Sequence, residues 1–112
     1  ETFKSARRNA GDAELNKLAA NLARSGGSVL TANLQLTIQP SLEKRATTTL
    51  TNNLLLSDDT ITKLKPYRWL VLESHINDAA DQRRQALIKD GILRPAGSTD
   101  SWIIYEVNIP QP

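Results

Sequence analysis

The chain has 112 residues, 39% of them hydrophobic and 23% charged, with a formal net charge of +2 and no cysteine. That length builds one core rather than two, and the balance excludes a disordered chain, a disulfide scaffold, thiolate catalysis and cysteine zinc sites. The longest apolar runs, Trp69 to Leu72 among them, are four residues, far short of a membrane span, and the small net charge lacks the dense basic face that neutralises phosphates.

Residues 1–11 carry Lys4, Arg7 and Arg8 around one large apolar side chain, Phe3, which predicts a flexible basic tail or linker ahead of a single domain over 12–112. A start at Glu1 without a charged-then-apolar leader reads as an excised domain or processed form. Plentiful Asn and Thr without Cys lean towards a periplasmic or exported protein and leave the compartment open.

Asp12 can cap a helix over 12–25, with Leu15, Leu18, Ala19 and Leu22 as its apolar stripe and Gly26-Gly27 as its stop. From Ser28 to Gln39 the residues alternate. Leu30, Ala32, Leu34, Leu36 and Ile38 take one side and Thr31, Asn33, Gln35 and Thr37 the other, which predicts one long half-buried strand ended by Pro40. Leu42, Ala46, Leu50 and Leu54 then recur at helical spacing, in a helix weakened by Thr47, Thr48, Thr49 and Thr51.

Ser57-Asp58-Asp59 opens one or two helical turns through Ile61 and Leu64, closed by Lys65-Pro66. Tyr67 to Ser74 holds Trp69, Leu70, Val71 and Leu72 without alternation, the pattern of a central strand covered on both faces. Asn77 or Asp78 caps the best-marked helix, with Asp81 in its first turn, Lys89 in its last and Gly91 just beyond. Ile92-Leu93 reads as a short strand and Pro95 to Asp100 as a turn. Trp102 to Ile109 reads as a strand with Ile103, Tyr105, Val107 and Ile109 on one face and Trp102 and Ile104 on the other. Strands joined by helical crossovers give an α/β (α+β) two-layer sandwich, a mixed sheet of three to four strands with helices packed on one face.

Three groups of residues are candidates for function. Ser74, His75 and Asn77 lie between the central strand and a helix N-terminus, where α/β sheets collect ligands, so they form a candidate ligand loop; capping of the helix explains the same residue types. Arg83, Arg84, Lys89 and Arg94 form a basic stretch on and after the best helix, and with the following hairpin they suggest a winged-helix reader of nucleic acid. The competing reading is a solvated face with Asp78 or Asp81 paired to Arg83 or Arg84. Trp102, Ile104 and Tyr105 form a candidate protein interface on a final strand placed at a sheet edge; alternatively both rings cover the sheet.

No nucleophile, base and orienter stand together, and His75 is a lone imidazole without metal-ligand spacing. The reading therefore assigns no catalytic residue, metal or cofactor and no enzyme activity.

The stretch from Trp69 to Ile92 resembles the core of the OmpA-like peptidoglycan-binding domains: a buried strand, a polar loop and an Arg-rich helix ending in Gly91-Ile92. Their Gly-His-Thr-Asp loop is Glu73-Ser74-His75-Ile76 here and their closing Asn-Arg-Arg motif is missing, so the resemblance transfers no binding residues. The sequence favours a non-catalytic protein-protein interaction or assembly module of a larger complex, of the cell envelope or a secretion or conjugation apparatus. Its partner would be another protein or a second copy, with a nucleic-acid-binding domain of winged-helix type as the alternative.

Overall fold

A computed structural model describes residues 17–37, 42 and 45–109. The N-terminal tail, Asp12, Leu15, Ile38, Gln39, Pro40 and Pro110 lie outside the described residues. Among the described residues five strands form one mixed sheet: β1 (Val29–Thr31), β2 (Ala46–Thr48), β3 (Trp69–Glu73), β4 (Leu93–Ser98) and β5 (Trp102–Val107), in the order β2-β1-β3-β5-β4. The helices are α1, seen over 17–25, α2 (Leu34–Thr37), α3 (Thr51–Leu55), α4 (Thr60–Leu64) and α5 (Asp78–Lys89). The α/β class and mixed sheet are those expected, with five strands instead of three to four.

β3 is the centre, as its unbroken apolar run predicts. It pairs parallel with β1, matching Leu70 to Leu30, and antiparallel with β5, matching Leu70 to Tyr105. Its side chains alternate between two cores. Leu70 and Leu72 join Leu30, Leu54, Leu64, Ala80, Leu87 and Tyr105 beneath α3, α4 and α5, the expected sandwich of sheet and helices. Trp69 and Val71 join Val29 and Ile104 on the opposite face, where Leu18, Ala19 and Leu22 of α1 and Leu36 of α2 pack.

Chain direction accounts for helices on both faces. The β1-to-β2 and β2-to-β3 crossovers run in opposite directions across the sheet, so two crossovers of the same right hand place their helices on opposite sides.

The long alternating strand is corrected. Alternation holds for Val29 to Ala32. Then the Thr31 hydroxyl accepts the Asn33 N–H at 2.9 Å, the Leu36 N–H bonds to the Asn33 carbonyl, and the chain turns into α2. A leucine at i and i+4 fits one helix face as well as it fits one strand face, so Leu30, Leu34 and Leu36 could not decide between the two periods.

The helix expected through Leu42, Ala46, Leu50 and Leu54 is also corrected. Ala46–Thr48 is edge strand β2, parallel to β1, and the β-branched threonines there follow their strand preference. Leu42 packs in the α1 core and Leu54 in the α5 core, so no single helix stripe joins them. The turn expected from Pro95 is instead most of β4. Its pairing with β5 shifts register between Pro95 and Gly97, the bulge that lets proline and glycine sit in an edge strand.

α1 ends at Gly26 and Gly27, with φ of +70° and +93°. Arg45 reaches back to cap it, its Nη2 donating to the Leu22 carbonyl at 3.0 Å and its Nε to the Gly27 carbonyl at 3.2 Å. A Cβ on Gly27 would lie 2.8 Å from Arg68 Cδ and 2.9 Å from Arg68 Cβ. Gly27→Ala therefore combines a left-handed backbone with a steric clash and should cost about 2 kcal/mol in urea unfolding. Gly91→Ala, at φ +78° with open space around it, should cost about half as much.

Candidate functional site

The C-terminal ends of parallel strands β1 and β3 are where the crossovers diverge, the position at which open α/β sheets bind ligands. A cleft of 590 Å³ opens at this end of the sheet, between the entry to α3 and the loop from β3 to α5. Its walls include Leu50, Thr51 and Asn52 on one side and Glu73, His75 and Asn77 on the other.

Hydrogen bonds tie the two walls together. Thr51 Oγ1 donates to Glu73 Oε1 at 2.6 Å, and Asn77 Nδ2 donates to Asn52 Oδ1 at 2.7 Å. Asn77 is also the N-cap of α5, its Oδ1 accepting the Ala80 N–H at 2.8 Å. The cap expected of Asn77 and a place in the cleft wall thus coexist in one side chain. Leu50, 66% exposed, gives the rim an apolar edge.

The loop Ser74–Asn77 is held from behind by Arg84. This side chain is 6% exposed; its Nη1 donates to the Glu73 carbonyl at 2.8 Å, its Nη2 to the Ser74 carbonyl at 3.2 Å and to Asp81 Oδ1 at 2.7 Å. One guanidinium therefore fastens the first turns of α5 to the end of β3, which a planar fork does better than a point charge.

The Arg84 hydrogen bond holds the Asp81 carboxyl below its ordinary range. Burial pushes the Tyr105 hydroxyl above its own, with Arg84 partly offsetting the shift. A depressed carboxyl contributes stability above about pH 3.9 that is lost as pH falls through the folded value, and a raised phenol contributes stability below about pH 10 that is lost as pH rises. In a pH series of thermal unfolding, Asp81→Asn should flatten the acid limb and Tyr105→Phe the alkaline limb.

Of the expected ligand loop, His75 and Asn77 line the cleft. The Ser74 hydroxyl turns away and donates to the Asp100 carbonyl at 3.1 Å, so Ser74 and His75 do not form a nucleophile and base pair. The expected basic stretch does not converge. Arg84 is buried, Arg83 Nε donates to the Leu55 carbonyl at 3.1 Å, and Lys89 is exposed in the last turn of α5. Arg94 stands on edge strand β4, 3.9 Å from Glu106. The Asp81–Arg84 pair of the competing reading is present. The hairpin expected after α5 is present as β4 and β5, within the five-stranded sheet and with β5 as an inner strand.

That inner position removes the expected interface on β5. Tyr105 belongs to the α5 core, Ile104 and Trp102 to the α1 core, and only Trp102 of the three is partly exposed. The edges are β2 and β4.

Sequence reasoning missed the α3 wall of the cleft, Leu50, Thr51 and Asn52, because these residues were placed inside a continuous helix. The four-threonine cluster over 47–51 was the available signal for a strand followed by a new helix start. Among the described residues no cluster of three or more His, Asp or Glu could hold a metal ion, and no helix is long and apolar enough to cross a membrane. Compared with protein-family models, curated proteins and solved structures, the chain matches none.

Proposed function

We propose that this chain is a non-catalytic interaction module that takes a protein partner into the cleft at the carboxyl ends of β1 and β3. The observation that supports this reading is the cleft itself. It is preformed, braced across its walls by the Thr51–Glu73 and Asn52–Asn77 hydrogen bonds, and edged by an exposed leucine. Amide and hydroxyl groups of this kind suit a polypeptide, whose main chain offers both donors and acceptors, and an apolar rim residue suits a side-chain anchor. Membership of a larger assembly, of the cell envelope or a secretion or conjugation apparatus, belongs to the same proposal.

The test compares complexes isolated from cells that carry the chain. Leu50→Asp should reduce the co-purifying partner at least tenfold without lowering the unfolding midpoint, because an exposed leucine contributes little to folding and Asp suits the N-cap position that Leu50 holds on α3. Arg24→Glu, on α1 across the sheet, should leave the partner bound. Equal loss from both variants, or from neither, contradicts the proposal. So does low-salt retention on duplex DNA that Arg83→Ala abolishes, which is the behaviour of a phosphate-binding face.

A further inference from the structure

Glu73 stands out among the groups lining the cleft because, among the described residues, it is the one carboxylate there. Its Oε1 accepts the Thr51 hydroxyl, and no ion pair among the described residues includes it. The cations nearby are engaged by groups other than its carboxylate. Arg84 meets the main-chain carbonyl of Glu73 and pairs with Asp81, Arg83 binds the Leu55 carbonyl, and Lys63 pairs with Asp59 while its Nζ donates to the carbonyl of Asn53 in the cleft wall at 3.4 Å. Asp78 adds negative charge in the first turn of α5, immediately after the cleft wall, where Asp81 is already matched by Arg84.

We infer that the cleft recognises a basic side chain, lysine or arginine, presented by the partner polypeptide, with Glu73 as its counter-ion. This rests on the reading of the cleft as a partner site and adds the chemistry it selects. The geometry fits such a group along its length. The apolar stem of lysine or arginine can lie along Leu50 and Ile76, both in the cleft wall, while its charged head meets the carboxylate. Thr51 fixes the carboxylate before the ligand arrives, so little side-chain freedom is lost on binding. Charge-assisted bonds to a carboxylate are the stronger kind, and a fixed acid in the wall of a cleft also disfavours acidic partners.

The experiment is an amide chemical-shift titration of the ¹⁵N-labelled chain with N-acetyl-L-arginine amide, N-acetyl-L-lysine amide and neutral N-acetyl-L-glutamine amide. The two basic probes should give saturable shifts at residues 50–53 and 73–77, weaken with added salt, and bind at least about fivefold more tightly than the neutral probe. Glu73→Gln keeps an acceptor for Thr51 and the shape of the side chain, and should erase that preference without changing the unfolding midpoint. If all three probes shift the cleft amides equally, or if Glu73→Gln leaves the preference intact, the charge inference is overturned while the cleft remains a partner site. If the basic probes shift amides elsewhere or nowhere, the inference is overturned, and the Leu50→Asp comparison decides separately whether a partner uses the cleft.

Discussion

Arg84→Ala should destabilise the protein by about 3 kcal/mol in urea unfolding, the larger part of it from main-chain carbonyls left without donors. The guanidinium is buried and serves three acceptors: the carbonyls of Glu73 and Ser74 and the carboxylate of Asp81. Asp81 is partly open to solvent, and water can take over its hydration when the arginine is gone. The two carbonyls at the end of β3 are worse placed for that. Arg84→Lys keeps the charge but not the fork, and should recover less than half of the loss. Because the same bonds hold the cleft wall, hydrogen exchange at Ser74, His75 and Ile76 should accelerate in Arg84→Ala more than exchange on β1. A loss below about 1 kcal/mol, with exchange unchanged, would mean that the fastening is not made in solution.

Leu70→Ala should cost about as much, roughly 3 kcal/mol, for a different reason. Leu70 has no exposure, lies on the central strand and is flanked in register by Leu30 and Tyr105, with the α3 and α5 side chains closing over the same core. Neighbours fixed in a sheet on both sides cannot collapse into the space that truncation leaves, so the cavity cost adds to the lost burial. Leu50→Ala should stay within about 0.5 kcal/mol of the parent in the same measurement. The contrast separates the leucines of the core from the leucine at the cleft rim, although both types stood in apolar runs or stripes of the sequence.

The elements legible in the sequence were those on which several independent signals agree. α5 has its cap at Asn77, acids in its first turn, Lys89 in its last and a left-handed glycine at 91, and it folds as those residues indicate. β3 carries an apolar run without alternation, Trp69 to Leu72, and needs both faces covered; it is the middle strand. On β5 the alternation of Tyr105 against Ile104 assigned the two faces correctly, although its place at an edge was wrong.

The misassigned strand and helix between Ser28 and Leu54 share a cause. Between Thr31 and Leu54 the apolar residues fall at spacings that satisfy two periods at once, and the deciding information is tertiary: which sheet face each leucine finds. Leu36 and Leu42 went to the α1 side and Leu54 to the α5 side, a division no local pattern contains. The candidate site followed the same rule. The loop after β3 was legible from its position between a strand and a capped helix. Its opposite wall, from Leu50 to Asn52, depends on β2 being a strand, and therefore stayed hidden. Arg84 was the converse case, since an arginine beside another arginine on a polar helix reads as surface until the backbone carbonyls at the end of β3 are seen in front of it.

The most direct test is to map the amides of the labelled chain that shift when its co-purified partner is added. Perturbations concentrated at residues 50–53 and 73–77, and lost with Leu50→Asp, are the predicted result. Perturbations centred instead on the outward face of α5 around Arg83 and Lys89, or along the β4 edge, with the cleft amides unmoved, would contradict a binding site at the carboxyl ends of the central strands.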